Sequence, residues 1–148
     1  MHSITTPTFS TLKLSQRVPG VVQITMARAA VFNAFDELMI SELDAAFAAM
    51  SDDTRVRVIV LAGDGKHFSA GADLQWMQRA AAATVEWNLH DARRFAGMLH
   101  RIANAPKPVL ARIQGATMGG GVGLACACDI AIAADNASFA VSEAKFGI

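Results

Sequence analysis

Gly115-Ala116-Thr117-Met118-Gly119-Gly120-Gly121-Val122-Gly123-Leu124 holds five of the 11 glycines in this 148-residue chain. Two apolar runs flank it, Val109-Leu110-Ala111-Arg112-Ile113 upstream and Ile130-Ala131-Ile132-Ala133 downstream. Short apolar runs of this kind read as strands. Between them, Gly119-Gly120-Gly121 opens a small-residue helix that runs to about Cys128. Glycines at such a start allow a sharp turn and let backbone N–H groups approach a ligand. Strand, glycine turn, helix and strand in this order point to an α/β unit with right-handed crossovers.

The same alternation continues upstream. Thr11 to Ser15 alternates polar and apolar residues, Pro19-Gly20 signals a turn, and Val21 to Met26 resumes the strand pattern, so these segments predict a hairpin. From Asp36 the period becomes helical, with Leu38, Leu43, Ala46, Phe47 and Met50 on one stripe and Asp36 and Glu37 at the positive end. Val56 to Leu61 reads as another buried strand. A long loop from Gly63 to Gly71 leads to Asp73, which can cap a short helix containing Leu74, Trp76 and Met77. Thr84 to Ala103 reads as a longer helix, with Trp87, Phe95, Met98, Leu99 and Ile102 apolar. Pro106-Lys107-Pro108 ends it. Ser138-Phe139-Ala140 is a short strand, and Glu143 follows.

Composition narrows the function classes. Hydrophobic residues make up 53% and charged residues 18%, which is ample for a core and argues against disorder. The 13 basic residues balance 13 acidic ones, which disfavours a nucleic-acid binder that neutralises phosphates. The longest uncharged stretch, between Arg112 and Asp129, is too broken by glycine and polar residues for a spanning helix of about 20 apolar residues. Met1 to Ser10 lacks a secretory leader pattern. A cytoplasmic protein without membrane partners is the expectation. Cys126 and Cys128 are expected to be small buried residues of an apolar helix, and two such ligands do not make a zinc site.

Familiar glycine motifs fail. The dinucleotide fingerprint breaks at Leu124, Gly65-Lys66 is followed by His67 where a phosphate loop needs Ser or Thr, and Ser69 has His67 two residues before it where a nucleophile elbow needs glycine. His2, His67, His90 and His100 show no metal-like pairing, and His90 and His100 fall on an exposed helix face. Three features remain: the loop Phe68-Ser69-Ala70-Gly71-Ala72-Asp73-Leu74, the Gly115–Gly121 turn, and the lone carboxylate of Glu143. Two backbone N–H groups aimed at one point can hold a developing oxyanion, and a nearby glutamate can move a proton. A glycine-rich helix start is equally what close packing needs, and a glutamate after a strand is equally a solvated edge residue. Singly, each feature leaves both readings open.

Together, His67-Phe68-Ser69-Ala70-Gly71-Ala72-Asp73-Leu74, Lys107-Pro108-Val109, Gly115 to Gly121, Cys128-Asp129-Ile130, Phe139 and Glu143 resemble the enoyl-CoA hydratase/isomerase (crotonase) family in order and spacing. Arg28 to Phe35 resembles its early substrate loop. The resemblance implies a crotonase-like spiral of ββα turns. It implies an acyl-CoA substrate, with CoA entering as part of the thioester and neither metal nor other cofactor. The N–H groups of Ala72 and Gly120 match the pair that holds the thioester oxygen, and Glu143 matches the second catalytic glutamate. Ala30, Val31 and Phe32 match the loop beside the CoA chain, and Ala70 matches a residue whose backbone meets the adenine. Asp73, Leu74, Gly119 and Ser142 are further substrate-side positions.

Departures from the pattern matter. Gly123 stands where two-glutamate hydratases carry their first glutamate. Ala29 stands where the family usually has proline, and Phe32 where many relatives have a polar or basic residue. With Glu143 alone, two enzymatic readings arise: hydration of a 2-enoyl-CoA, as in the similar methylglutaconyl-CoA hydratase-like members, or Δ3,Δ2-enoyl-CoA isomerisation. A reading of another class is a non-catalytic acyl-CoA-binding fragment. Because Ile148 lies so soon after Glu143, the resemblance implies that residues 1–148 form an incomplete N-terminal core. The C-terminal helical region would be absent, so the chain would be inactive alone, and the family's homotrimer or hexamer would belong to a full-length protein.

Overall fold

The computed structural model describes residues 8–147. Most of the segment read above for a leader lies outside them. The predicted hairpin is present as β1 (Leu12–Val18) and β2 (Val21–Met26), antiparallel, with Leu14 opposite Ile24. Gly20 makes the turn at φ +81°, a conformation that glycine adopts without a Cβ penalty. The remaining large-sheet strands are β3 (Val58–Gly63), β4 (Val109–Ile113) and β6 (Ile130–Ala133). They join β2 in parallel, in the order β1-β2-β3-β4-β6. A second, two-stranded parallel sheet pairs β5 (Ala116–Met118) with β7 (Ser138–Ala140).

Four helices connect these strands: α1 (Glu37–Asp52), α2 (Leu74–Ala82), α3 (Val85–Ala103) and α4 (Gly120–Ala127). Three begin on a side-chain cap, since Asp36 accepts from Met39 N, Asp73 from Gln75 and Trp76 N, and Thr84 from Trp87 N. Such caps satisfy N–H groups that the helix itself cannot. At the other end of α1, the Lys107 ammonium donates to the carbonyls of Met50 and Asp53, where a cation meets the negative helix end. Glu42 accepts from Ser10 N, Thr11 N and Thr11 Oγ1 and so anchors the start of β1 to α1.

One face of the large sheet is the core side. Val22, Ile24, Met26, Ile59, Leu61, Val109, Ala111 and Ile113 alternate onto it and are buried with Met39, Leu43, Phe47, Met98 and Ile102 of the helices. Each large side chain fully buried there contributes about 1.5–3 kcal/mol. The opposite face grades from Lys13, Ser15, Gln23 and Thr25 to Leu110, Ile130 and Ile132, and Ile132 is 57% exposed.

Several sequence expectations need correction. Leu38 is half exposed while its neighbours Met39 and Ile40 are buried, so the inward stripe of α1 sits one residue later. The short helix capped by Asp73 is present as α2, with Leu74 75% exposed, Met77 exposed and no buried residue. Cys126 is exposed and Cys128 half-buried, so burial of both does not hold. The short β5 within the glycine stretch was not anticipated. No helix among the described residues is long and apolar enough to cross a membrane.

Candidate active site

The direction of the Ala72 N–H follows from its neighbours. Residues 34–36 and 71–73 pair in parallel around Phe35 and Ala72. Phe35 N donates to the Gly71 carbonyl at 2.9 Å, and Asp73 N donates to the Phe35 carbonyl at 3.0 Å. A trans peptide points its C=O and N–H in opposite directions. Fixing the Gly71 carbonyl toward Phe35 therefore turns the Ala72 N–H away from that rung. Gly71 sits at φ +87°, and a Cβ there would lie 2.7 Å from the Met118 carbonyl oxygen and 3.2 Å from the Gly120 nitrogen. The Gly71–Ala72 peptide is thus packed directly against the start of α4. Neither the Ala72 nor the Gly120 N–H donates to an acceptor among the described residues. Gly120 is the first residue of α4, where the helix leaves its N–H open and its dipole is positive.

The register between the two loops is set by further contacts. Ser69 pairs with Thr117, and Met118 N donates to the Ser69 carbonyl. The Ser69 hydroxyl donates to the Asn33 carbonyl and accepts from Gly71 N. A Cβ on Gly121 would come within 2.8 Å of the Ser69 carbonyl, and one on Gly120 within 2.5 Å of Phe35 Cζ. Two of the three consecutive glycines are there because backbone and ring already occupy that space.

Glu143 lies in the first turn of a short 3-10 helix (Ser142–Phe146) just after β7. Gly119 N donates to the Ala140 carbonyl, which ties that turn to the glycine loop. A Cβ on Gly119 would lie 2.5 Å from Glu143 Oε1, so the carboxylate rests on the bare Cα of the residue preceding Gly120. The Ser142 hydroxyl donates to Glu143 Oε2 at 3.4 Å. Gly123 has only Leu99 Cδ1 near its would-be Cβ, at 4.0 Å.

A cavity of about 620 Å³ is lined by Ala72, expected at the oxyanion site, by Ala30, Val31, Phe32, Ala70, Asp73 and Leu74, expected substrate-side positions, and by Arg28, Ala34 and Gln75. Glu143, Ser142, Gly119 and Gly120 do not line it. They gather instead around the glycine loop, and Gly71, next to Ala72, packs against Gly120. Phe32 and Asn33 both adopt positive φ, +55° and +54°. Asn33 is fully buried and its side chain donates to the Asp64 and His67 carbonyls. The exposed Phe32 ring stands edge-on to His67 at 5.0 Å. His67 is no free base, since its Nδ1 accepts from Ala116 N.

Among the described residues, Arg28 is the only cation on that cavity wall. It donates to Asp73 Oδ2 at 3.0 Å, approaches Asp36 Oδ2 at 3.3 Å, and donates to the Ala34 carbonyl at 2.6 Å. Burial alone would push the Asp73 carboxyl up; the Gln75 and Trp76 N–H groups and then the Arg28 guanidinium outweigh it and hold it below the usual value.

A profile of the enoyl-CoA hydratase/isomerase family matches residues 16–148. The chain belongs to the enoyl-CoA hydratase/isomerase family. It is 41% identical over 125 residues to a probable enoyl-CoA hydratase of Rhizobium meliloti (strain 1021), covering 84% of this chain and 47% of that protein. It is 35% identical over 135 residues to 4-chlorobenzoyl coenzyme A dehalogenase-1 of an Arthrobacter species, covering 90% and 49%. The crystal structure of an enoyl-CoA hydratase from Shewanella pealeana ATCC 700345 superposes with a TM-score of 0.90 at 40% identity, covering 95% of this chain and 52% of that one. The chain spans about half the length of these relatives. The α/β crotonase fold expected from the sequence is the one observed.

The family motifs do not single out the groups that hold this member's loops in place. Arg28 and Asn33 stood in the early-loop motif without a role, and their two-sided contacts have no signature in sequence. Asp91 had one: it lies on the inward stripe of α3 with Phe95, Met98 and Ile102. It is buried and accepts from Trp76 Nε1 at 2.8 Å. Trp76 in turn packs with Phe35 and Phe95, at 6.0 and 6.4 Å between ring centres. No cluster of metal-ligating side chains occurs among the described residues.

Proposed function

We propose that the protein is an enoyl-CoA hydratase that adds water to a 2-enoyl-CoA thioester, with a branched methylglutaconyl-like acyl group as the substrate class. The observation that carries this is the pairing of two open backbone N–H groups, at Ala72 and Gly120, with the Glu143 carboxylate against Gly119. The thioester oxygen sits between the two N–H groups. Glu143 takes a proton from water as the water oxygen bonds to C3, and the C2=C3 electrons move onto the thioester oxygen as an enolate. The same carboxyl returns the proton to C2 on the same face, and the 3-hydroxyacyl-CoA forms. Aligned N–H donors of this kind are typically worth about 10²–10³ each in rate, and the proton shuttle about 10²–10⁴.

A second reading follows from Gly123, which supplies no side chain. A single carboxylate suffices to carry a proton from C2 to C4, which is Δ3,Δ2-enoyl-CoA isomerisation. Residues 1–148 are assayed with 2-enoyl-CoA and 3-enoyl-CoA substrates, both alone and within a chain carrying a family C-terminal region, and again as Glu143→Gln; turnover is expected only of the longer chain. Loss of the conjugated thioester absorbance with 2-enoyl-CoA, abolished by Glu143→Gln, is expected. Conversion of 3-enoyl-CoA only would favour the isomerase. Binding without turnover, unaffected by Glu143→Gln, would leave an acyl-CoA-binding module. A homotrimer or dimer of trimers and a cytoplasmic location belong to the same proposal; light scattering checks the first and fractionation the second.

A further inference from the structure

Arg28 sits where two helix caps and the oxyanion loop meet. Asp36 and Asp73 use one carboxylate oxygen, Oδ1, to cap α1 and α2. Each turns the other oxygen, Oδ2, to the same guanidinium nitrogen, within 3.3 Å. The second guanidinium nitrogen holds the Ala34 carbonyl, and the Arg28 backbone N–H donates to Asn33 Oδ1. The three acceptors lie on the two segments, 34–36 and 71–73, whose rungs aim the Ala72 N–H. The Arg28 and Asp73 side chains are only 23% and 11% exposed, so the pair is shielded and its geometry restricted. A planar guanidinium can span three such acceptors, whereas a lysine ammonium cannot match that fork.

We propose that Arg28 is a positioning residue for the oxyanion site: by joining the α1 and α2 caps it holds the Gly71–Ala72 peptide in register with Gly120. It also offsets two carboxylates that would otherwise oppose a negative thioester oxygen beside Ala72. Both terminal guanidinium nitrogens, Nη1 and Nη2, are engaged by protein acceptors, which favours positioning over a role as a ligand for the CoA phosphates. The claim about Ala72 rests on the function proposed above; the clamp itself does not.

Two measurements on the 148-residue chain separate these parts. The variants are Arg28→Ala, Arg28→Lys and Asp73→Asn. The last keeps a cap acceptor but puts an amide NH2 where Oδ2 met Arg28, so the charge and that contact go together; it guards against an alanine variant that fails to fold. Amide hydrogen exchange without ligand is read at Phe35, Asp73, Gln75 and Trp76. Exchange about tenfold faster or more is expected there in Arg28→Ala and Asp73→Asn, with β2 and β3 amides within about twofold of wild type, because a lost charge-assisted contact opens only its neighbourhood. Unchanged exchange at those four amides overturns the clamp.

The second measurement uses cinnamoyl-CoA, whose absorbance moves to longer wavelength when its carbonyl oxygen accepts hydrogen bonds. Wild type is expected to bind and shift it. In Arg28→Ala the shift of the bound probe falls by about half or more while affinity falls less than about fivefold, and lysine restores little of it. A full shift in Arg28→Ala overturns the proposal. So does a loss of affinity with the shift intact, which would make Arg28 a phosphate ligand. If wild type neither binds nor shifts the probe, even when extended by a family C-terminal region, the acyl-CoA function fails, and with it the link to Ala72, while the exchange data still decide the clamp.

Discussion

Gly119 and Gly97 offer two Gly→Ala changes with opposite expected signs. Gly119 adopts φ +51° and ψ −124°, a region that side chains avoid, and holding alanine there costs about 1–3 kcal/mol. The added methyl would also lie 2.5 Å from Glu143 Oε1, so the carboxylate must retreat by roughly 1 Å to reach ordinary contact. Glu143 is half-buried and can rotate, so the backbone strain dominates the stability cost. The displaced carboxylate matters more to chemistry, where a misplacement of about 1 Å can cost on the order of 10²-fold in rate. Gly97 lies within α3, and a Cβ there meets nothing within 4 Å. Alanine at that position gains about 0.5–1 kcal/mol of helix stability. The two variants should therefore differ by about 1.5–4 kcal/mol, a gap of roughly 0.75–2 M in urea midpoint at a slope of about 2 kcal/mol/M. Urea titration followed by fluorescence of Trp76 and Trp87 reads this directly. A Gly119→Ala midpoint at or above that of wild type would refute the reasoning from the Gly119 backbone.

Asp73 gains its stabilising contacts as a carboxylate, and its folded-state pKa lies below the usual 3.8. Its contribution is complete above the unfolded value and fades as pH falls through the lowered folded one. Acid titration of the urea midpoint should thus fall more steeply below about pH 4 in wild type than in Asp73→Asn; parallel curves would contradict this. Burial first, then Asp129 and Cys126, push the Cys128 thiol up to about 12. At neutral pH a thiol reagent should label exposed Cys126 and spare Cys128, as peptide mapping would show. Trp76→Phe removes the donor to the buried Asp91 carboxylate and should cost about 1–3 kcal/mol in urea unfolding. The double variant Trp76→Phe/Asp91→Leu should recover part of it.

Much of the fold was legible because its strands carry their own pattern. Val109–Ile113, Ile130–Ala133 and Ser138–Ala140 occur with the bounds read from sequence, since each is a short apolar run between turn residues. Pattern cannot see where a helix stripe lands within one residue, which is why Leu38 was misassigned. Nor can it see β5, whose Ala116-Thr117-Met118 becomes a strand only by pairing with Ser138–Ala140. Around the site, the motif glycines and Glu143 were visible by resemblance. The aim of the Ala72 N–H depends on Phe35, far away in sequence, and no local signal encodes such a rung. Arg28 was invisible for a related reason: its importance lies in touching two caps at once, which only the folded chain brings together.

The Ser69–Thr117 pairing makes the candidate site sensitive to strand register in a way that a single-loop site is not. Its two donors belong to separate stretches of chain, so neither stretch alone contains the site, and a peptide cut from either would carry half of it. A slip of one residue at that seam would keep nearly every apolar contact of the large sheet yet turn both N–H groups off their common target. Binding of a carbonyl probe would therefore report tertiary registration that circular dichroism, which counts only helix and strand, cannot distinguish from the native state.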